Sequence, residues 1–166
     1  LGGLEGVFLL NPAINGGWTR QQISNNPTGE VRQGAGARGE KFIAAIEPMH
    51  GNQLSIYTAA KGEKLWNRNV ITDSLDQGHA LATGDFLGTG SDQIVVGWRG
   101  TRRTGKVGVK LFYPTDKKRT KWKIQLIDDN EMATEDIRVA DLNADGKPDI
   151  VAAGRATHNL KIYFNE

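Results

Sequence analysis

The chain contains no cysteine, which excludes disulfides, thiolate metal sites and cysteine nucleophiles. No apolar run is long enough to cross a bilayer as a helix. A surplus of one charge is missing too: 21 Lys and Arg stand against 19 Asp and Glu. The formal net charge of +2 does not indicate a nucleic-acid partner, and the short basic loop Arg99, Arg102, Arg103 and Lys106 does not change that. No Gly-rich loop leads into a helix, no phosphate cradle stands out, and no Ser-His-Asp order is evident. No signal peptide is visible, since Leu1 already lies inside what reads as a repeat. The expected setting is nevertheless secreted or periplasmic.

What the chain does have is glycine, 21 in 166 residues, and aromatics that punctuate it instead of forming runs. That profile suits many short strands and turns better than a helical bundle, and the length allows one domain, residues 1–166. Internal similarity supports the same reading. Gly17–Ile23, Leu65–Ile71 and Lys121–Ile127 share a pattern marked by Trp18, Trp66 and Trp122, at a spacing in the range of propeller blades. His79–Arg99 aligns without gaps over Glu135–Arg155, and Phe42–His50 gives a weaker third copy over Ile150–His158. Residues 1–24 then read as outer strands of one unit, 25–71 and 72–128 as two full units, and 129–166 as a unit without its last strand. In the third unit the strands are expected near Ala80–Thr83, Gln93–Gly97, Val107–Tyr113 and Lys121–Ile127. The expectation is an all-β chain of β-propeller blades with four antiparallel strands each. About three blades are counted, and sheet edges left open imply a larger propeller or a ring completed by self-assembly.

One loop carries a metal pattern. In Asp141-Leu-Asn-Ala-Asp-Gly-Lys-Pro-Asp149, the side chains of Asp141, Asn143 and Asp145 alternate, Gly146 permits a sharp turn, the Lys147 carbonyl adds an oxygen and Asp149 closes the run. Oxygen-only ligation of this kind suits a structural Ca²⁺. A solvated turn between strands is the bland alternative. In the aligned third unit, Leu87, Thr89 and Gln93 replace Asn143, Asp145 and Asp149, which makes a cation there doubtful. The second unit, Gly34–Gly39, has no such ligands.

The loop followed by Ile150-Val151 resembles FG-GAP/VCBS-type repeats, the blade unit of integrin-like propellers. Ile46–Gln53, Gly78–Leu81, Gly97–Gly100 and Gly154–Asn159 are similar to a subgroup of these propellers that includes the propeller part of fungal aldos-2-ulose dehydratase. The resemblance implies a propeller fold and raises dehydration of a keto-sugar with a divalent metal. It transfers no catalytic residue one by one.

Strand direction sorts the remaining candidates. The acidic loop joins first and second strands, so loops joining second and third strands, and the starts of first strands, belong to the opposite face. That face collects His50, His79 and His158, all the histidines of the chain, with Glu47, Arg99 and Arg155, and with Trp98, Thr157, Glu135 and Asp136 nearby. Such a cluster suits a polyhydroxylated or anionic ligand, or a second divalent metal held by neutral imidazoles. Turn-capping histidines and a structural ion pair recurring in each unit are the bland counterparts. The three repeat tryptophans read as packing residues, and Lys117-Lys118-Arg119 as a solvated hairpin tip. The expected function is a calcium-stabilised binding module with a His/Arg-rich face, its ligand a carbohydrate and its further partner a second copy or the rest of a longer propeller. A metal-assisted lyase or dehydratase on a keto-sugar, and a structural or protein-interaction scaffold, remain open beside it.

Overall fold

Pairs of adjacent apolar residues, as in Phe42-Ile-Ala-Ala-Ile46 and Ile94-Val-Val96, require strands buried on both faces. The computed structural model, which describes residues 1–166, meets that requirement. It is all-β, with no helix: β1 (Gly2–Gly3), β2 (Gly6–Pro12), β3 (Trp18–Ser24), β4 (Val31–Ala35), β5 (Lys41–Glu47), β6 (Gln53–Thr58), β7 (Asn67–Thr72), β8 (Gly78–Gly84), β9 (Gln93–Trp98), β10 (Gly108–Pro114), β11 (Trp122–Asp129), β12 (Thr134–Ala140), β13 (Asp149–Gly154) and β14 (Asn159–Tyr163). They form four antiparallel meanders: β1-β2-β3, β4-β5-β6-β7, β8-β9-β10-β11 and β12-β13-β14. The two middle sheets are complete four-stranded blades. No helix exists that is long and apolar enough to cross a membrane.

Each sheet packs face to face on the next. Val7 and Ile23 of the first sheet meet Ile43, Ala45 and Tyr57 of the second. The opposite parity of the second sheet, Phe42, Ala44, Ile46, Leu54 and Ile56, meets Leu81, Ile94, Val96 and Phe112 of the third. Ala82, Val95, Val109 and Leu111 of the third then meet Ile137, Ile150 and Ala152 of the fourth. Alternation along a strand thus sends neighbouring residues into different seams. The first strands converge: β8 packs against both β4 and β12, whereas β7 and β11 form the mostly exposed rim.

Two details were hidden from the sequence. β1 is a strand of two glycines, too short to show a period, so the first sheet adds a third strand to the outer pair, Gly6–Pro12 and Trp18–Ser24, that residues 1–24 were expected to supply. The weaker repeat copy is also out of step by one residue. Ile43 pairs with Tyr57 as Ile150 pairs with Tyr163 and Ile94 with Phe112, so Ile43, not Phe42, stands where Ile150 does. A slip of one residue would exchange the two seams. Gly6 and Gly108 mark one recurring bulge, with φ of 116° and 152°; a Cβ at either would run into the carbonyl of Ser24 or Asp128 on the paired strand.

Candidate functional site

Three consecutive sheets deliver side chains to one end of their strands. His50 comes from the turn after β5, His79 from β8, Arg99 from the loop after β9, Glu135 from β12 and Arg155 from the turn after β13. The rings of His50 and His79 stack, with centroids 4.6 Å apart and planes 24° from parallel. His79 Nδ1 lies 2.7 Å from the Glu135 carbonyl oxygen. Since a carbonyl only accepts, Nδ1 carries the proton. That leaves Nε2, 3.7 Å from Glu135 Oε1, to be either a bare acceptor or, when protonated, an ion-pair partner. Arg99 Nη1 donates to both Glu135 oxygens at 2.5 and 2.6 Å, and Arg155 Nη1 stands 3.9 Å from Oε1.

Electrostatics follow from this geometry. Burial opposes ionisation of Glu135, but the Arg99 hydrogen bond and the charges of His79, Arg99 and Arg155 outweigh it, so its carboxyl titrates below the ordinary glutamate range. Partial desolvation of its ring, then the His79 and Arg99 charges, push His50 below the usual imidazole value. Arg99 and His79 are mostly covered, whereas His50 and the Arg155 guanidinium are exposed. The cluster therefore has a packed ionic centre and two free donor groups at its margins.

The structure does not bring every expected residue to this place. Glu47 is buried elsewhere, because it shares strand parity with Ile43 and Ala45 and turns towards the first sheet. There it accepts from the Tyr57 hydroxyl, from Ser55 Oγ at 2.9 Å and from Arg68 Nε and Nη2 at 2.9 and 2.6 Å. His158 occupies the left-handed position of its turn, as His50 does, but is exposed on the last sheet and makes no hydrogen bond to the cluster. Of the adjacent acids, Glu135 faces the cluster while Asp136 pairs with Arg138 at 2.6 Å and stays exposed. Strand alternation signals that one of the two points inward, but not which one.

At the opposite end of the fourth sheet lies the acidic loop, between Ala140 and Asp149, which pair across β12 and β13. Asp141 accepts from the backbone N–H of Asp145 and Gly146 at 3.2 and 2.9 Å, Asn143 Oδ1 accepts from Asp145 N–H at 3.2 Å, and Asp145 accepts from Lys147 N–H at 2.8 Å. Asp149 is buried and takes the N–H of Asn165 and Leu142, which hold its carboxyl below the usual aspartate value. The side chains do not converge as a ready metal-holding group. The corresponding loop of the third sheet closes differently. Asp85 accepts from Thr89 and Gly90 N–H at 2.8 and 2.6 Å, and the Gln93 amide nitrogen stands among Asp85 Oδ1, Thr89 Oγ1 and the Ser91 carbonyl. A donor thus fills the oxygen cage there. In the fourth sheet, Asp145 and Asp149 replace Thr89 and Gln93, so the donor becomes a carboxylate, and no Lys or Arg pairs with Asp141, Asp145 or Asp149. The donor set is all oxygen and carries a surplus of negative charge, which suits a hard cation.

Arg119 is a residue that composition misreads. It closes the run read as a solvated tip, yet it is buried, with its guanidinium over the Phe42 ring at 4.2 Å. Its N–H groups reach the carbonyls of Asp92 and Ala35 at 3.3 and 3.2 Å and Ser91 Oγ at 2.6 Å, tying the second sheet to the third. No family model matches the chain, and no curated protein matches it.

Proposed function

We propose that the chain is a propeller-type binding module whose His50, His79, Glu135, Arg99 and Arg155 cluster takes a polar carbohydrate, with structural Ca²⁺ in the Asp141–Asp149 loop. The observation that carries this reading is the convergence at Glu135 of one imidazole and two guanidiniums drawn from neighbouring sheets. Sugar hydroxyls both donate and accept, and the exposed His50 ring and Arg155 guanidinium offer a stacking face and a forked donor beside that centre. Glu135 is engaged as an anion by Arg99 instead of standing free as a base, and Glu47 and His158 lie apart, which favours binding over elimination chemistry. The stacked His50 and His79 rings present a flat face, and with its proton on Nδ1 a neutral His79 has Nε2 free to accept from a sugar hydroxyl. In the acidic loop, Asp141, Asn143, Asp145 and the Lys147 carbonyl, with Asp149 behind them, would hold Ca²⁺, whose part is to neutralise those carboxylates and stiffen the loop.

Calorimetric titration with neutral sugars and sugar acids tests the cluster. Arg155→Ala, at an exposed side chain, is expected to weaken binding tenfold or more without lowering the melting temperature. Unchanged affinity in both Arg155→Ala and His79→Ala would refute the site.

A further inference from the structure

Both end faces of the molecule are half-seams. Strand pairing fixes the correspondence: Ala44 pairs with Ile56 and Ile46 with Leu54, Val95 with Leu111, Val151 with Ile162 and Ala153 with Leu160. In the second and third sheets these side chains face the following sheet and are at most 4% exposed. In the fourth sheet nothing follows, and Leu160 and Ile162 are 65% and 45% exposed. The other end mirrors this. Trp18 pairs with Pro12 as Trp122 pairs with Pro114, and Leu10 stands at the place of Phe112 and Tyr57. Trp66 and Trp122 pack on the seam that precedes their own sheet, whereas Trp18 is 69% exposed and Leu10 41%, against 1% for Phe112 and Tyr57.

We infer that the two end faces dock on each other between copies of this chain, head to tail. The Val151, Leu160 and Ile162 face of one copy covers the Leu10 and Trp18 face of a second. The commitment to a second copy rests on continuity with the interior seams. The seam between the second and third sheets sets Ala44, Ile46, Leu54 and Ile56 against Phe112 with Trp122 alongside. One chain carries the first half of such a seam at its last sheet and the outer part of the other half at its first. There Leu10 and Trp18 stand for Phe112 and Trp122, while the two glycines of β1 supply no side chain for the places of Ile94 and Val96. Like faces brought together would pair two identical halves and rebuild neither seam. Charge does not oppose the approach on the last sheet, where Asp136 and Arg138 neutralise each other. Two copies of four sheets each make eight blades, inside the usual range of about 4–8 for closed propellers. Head-to-tail contacts of this kind close into rings when the rotation fits and otherwise run on as fibres.

Sedimentation velocity and light scattering of the whole chain test this. The wild type is expected at twice 18.1 kDa across micromolar concentrations. Leu160→Glu and Trp18→Glu, both at exposed positions, should each give single chains alone. Their equimolar mixture should recover a two-chain particle through the one seam left intact. A folded single chain for the wild type would overturn the proposal and assign the faces to other blades. Self-pairing of Leu160→Glu alone, or growth without limit as concentration rises, would overturn it as well.

Discussion

Arg119 shows how much one side chain can hold when it reaches oxygens on two neighbouring sheets at once. Its guanidinium serves Ala35, Asp92 and Ser91, and its own carbonyl accepts from Asn69 and from the Trp122 indole at 3.1 and 2.9 Å. Arg119→Met keeps the apolar stem over Phe42 but removes the donor to the Asp92 carbonyl and Ser91 Oγ, while the Ala35 carbonyl keeps the Asp92 N–H, so a loss of about 1–3 kcal/mol is expected in urea unfolding. Arg119→Lys should recover only part of it, because a point charge cannot reproduce the fork. Nothing in Lys117-Lys118-Arg119 separates the last residue from the two exposed ones before it. Its burial is set by a seam between sheets, and that is tertiary information. His79 and Arg99 were legible as neighbours, since they open and close a repeat unit, but their joint partner Glu135 was only half legible. Two adjacent acids at a strand start do not reveal which one the parity turns inward.

At the level of elements, the two aligned loops make a controlled comparison. The loop of the third sheet has its amide donor, Gln93, and the loop of the fourth has carboxylates in the matching places. Metal that binds only the folded state raises stability by mass action, so chelator is expected to lower the melting temperature in a fluorescence melt. Asp145→Ala should abolish that sensitivity, and a wild-type melt indifferent to chelator would remove calcium from the reading. Gln93→Leu should cost about 1–3 kcal/mol with or without chelator, because it leaves the Leu87 N–H and the Asp85 cage without their partner. The spacing of Asp141 to Asp149 was visible in the sequence as a ligand pattern. What fills the cage of the third sheet was not, since a buried glutamine looks like any strand residue until its neighbours are known. The strands themselves were the most legible part. Gln93 begins its strand where expected, and the other three of that sheet begin or end within two residues of expectation, because turn residues and alternation fix them locally.

For the molecule as a whole, acid should act first on the seam between the third and fourth sheets. Burial opposes ionisation of Asp128, but Lys161 at 2.8 Å and the Tyr163 hydroxyl at 2.8 Å, both on the last sheet, outweigh it and hold its carboxyl below the ordinary value. Burial and then Asp128 push the Tyr163 hydroxyl upward in turn. A carboxyl depressed in the folded state stabilises it fully above the unfolded value of about 4 and loses that contribution as pH falls through the folded value. Glu135 and Asp149 shift in the same direction. The melting temperature is therefore expected to slip slightly from about pH 7 to 5, because the unfolded chain takes up a proton that the depressed His50 imidazole resists, and to fall more steeply below about pH 4. Asp128→Asn should start lower at neutral pH and fall less steeply in the same calorimetric series.

The middle strands have one further consequence. β5 and β9 are walled on both sides, so neither odd nor even positions along them are free to change, whereas β7 and β11 stand mostly in water. Chance substitutions should survive on those rims and be purged from the walled strands, so that drift over many generations rewrites the edge of each fan while its middle stays almost still.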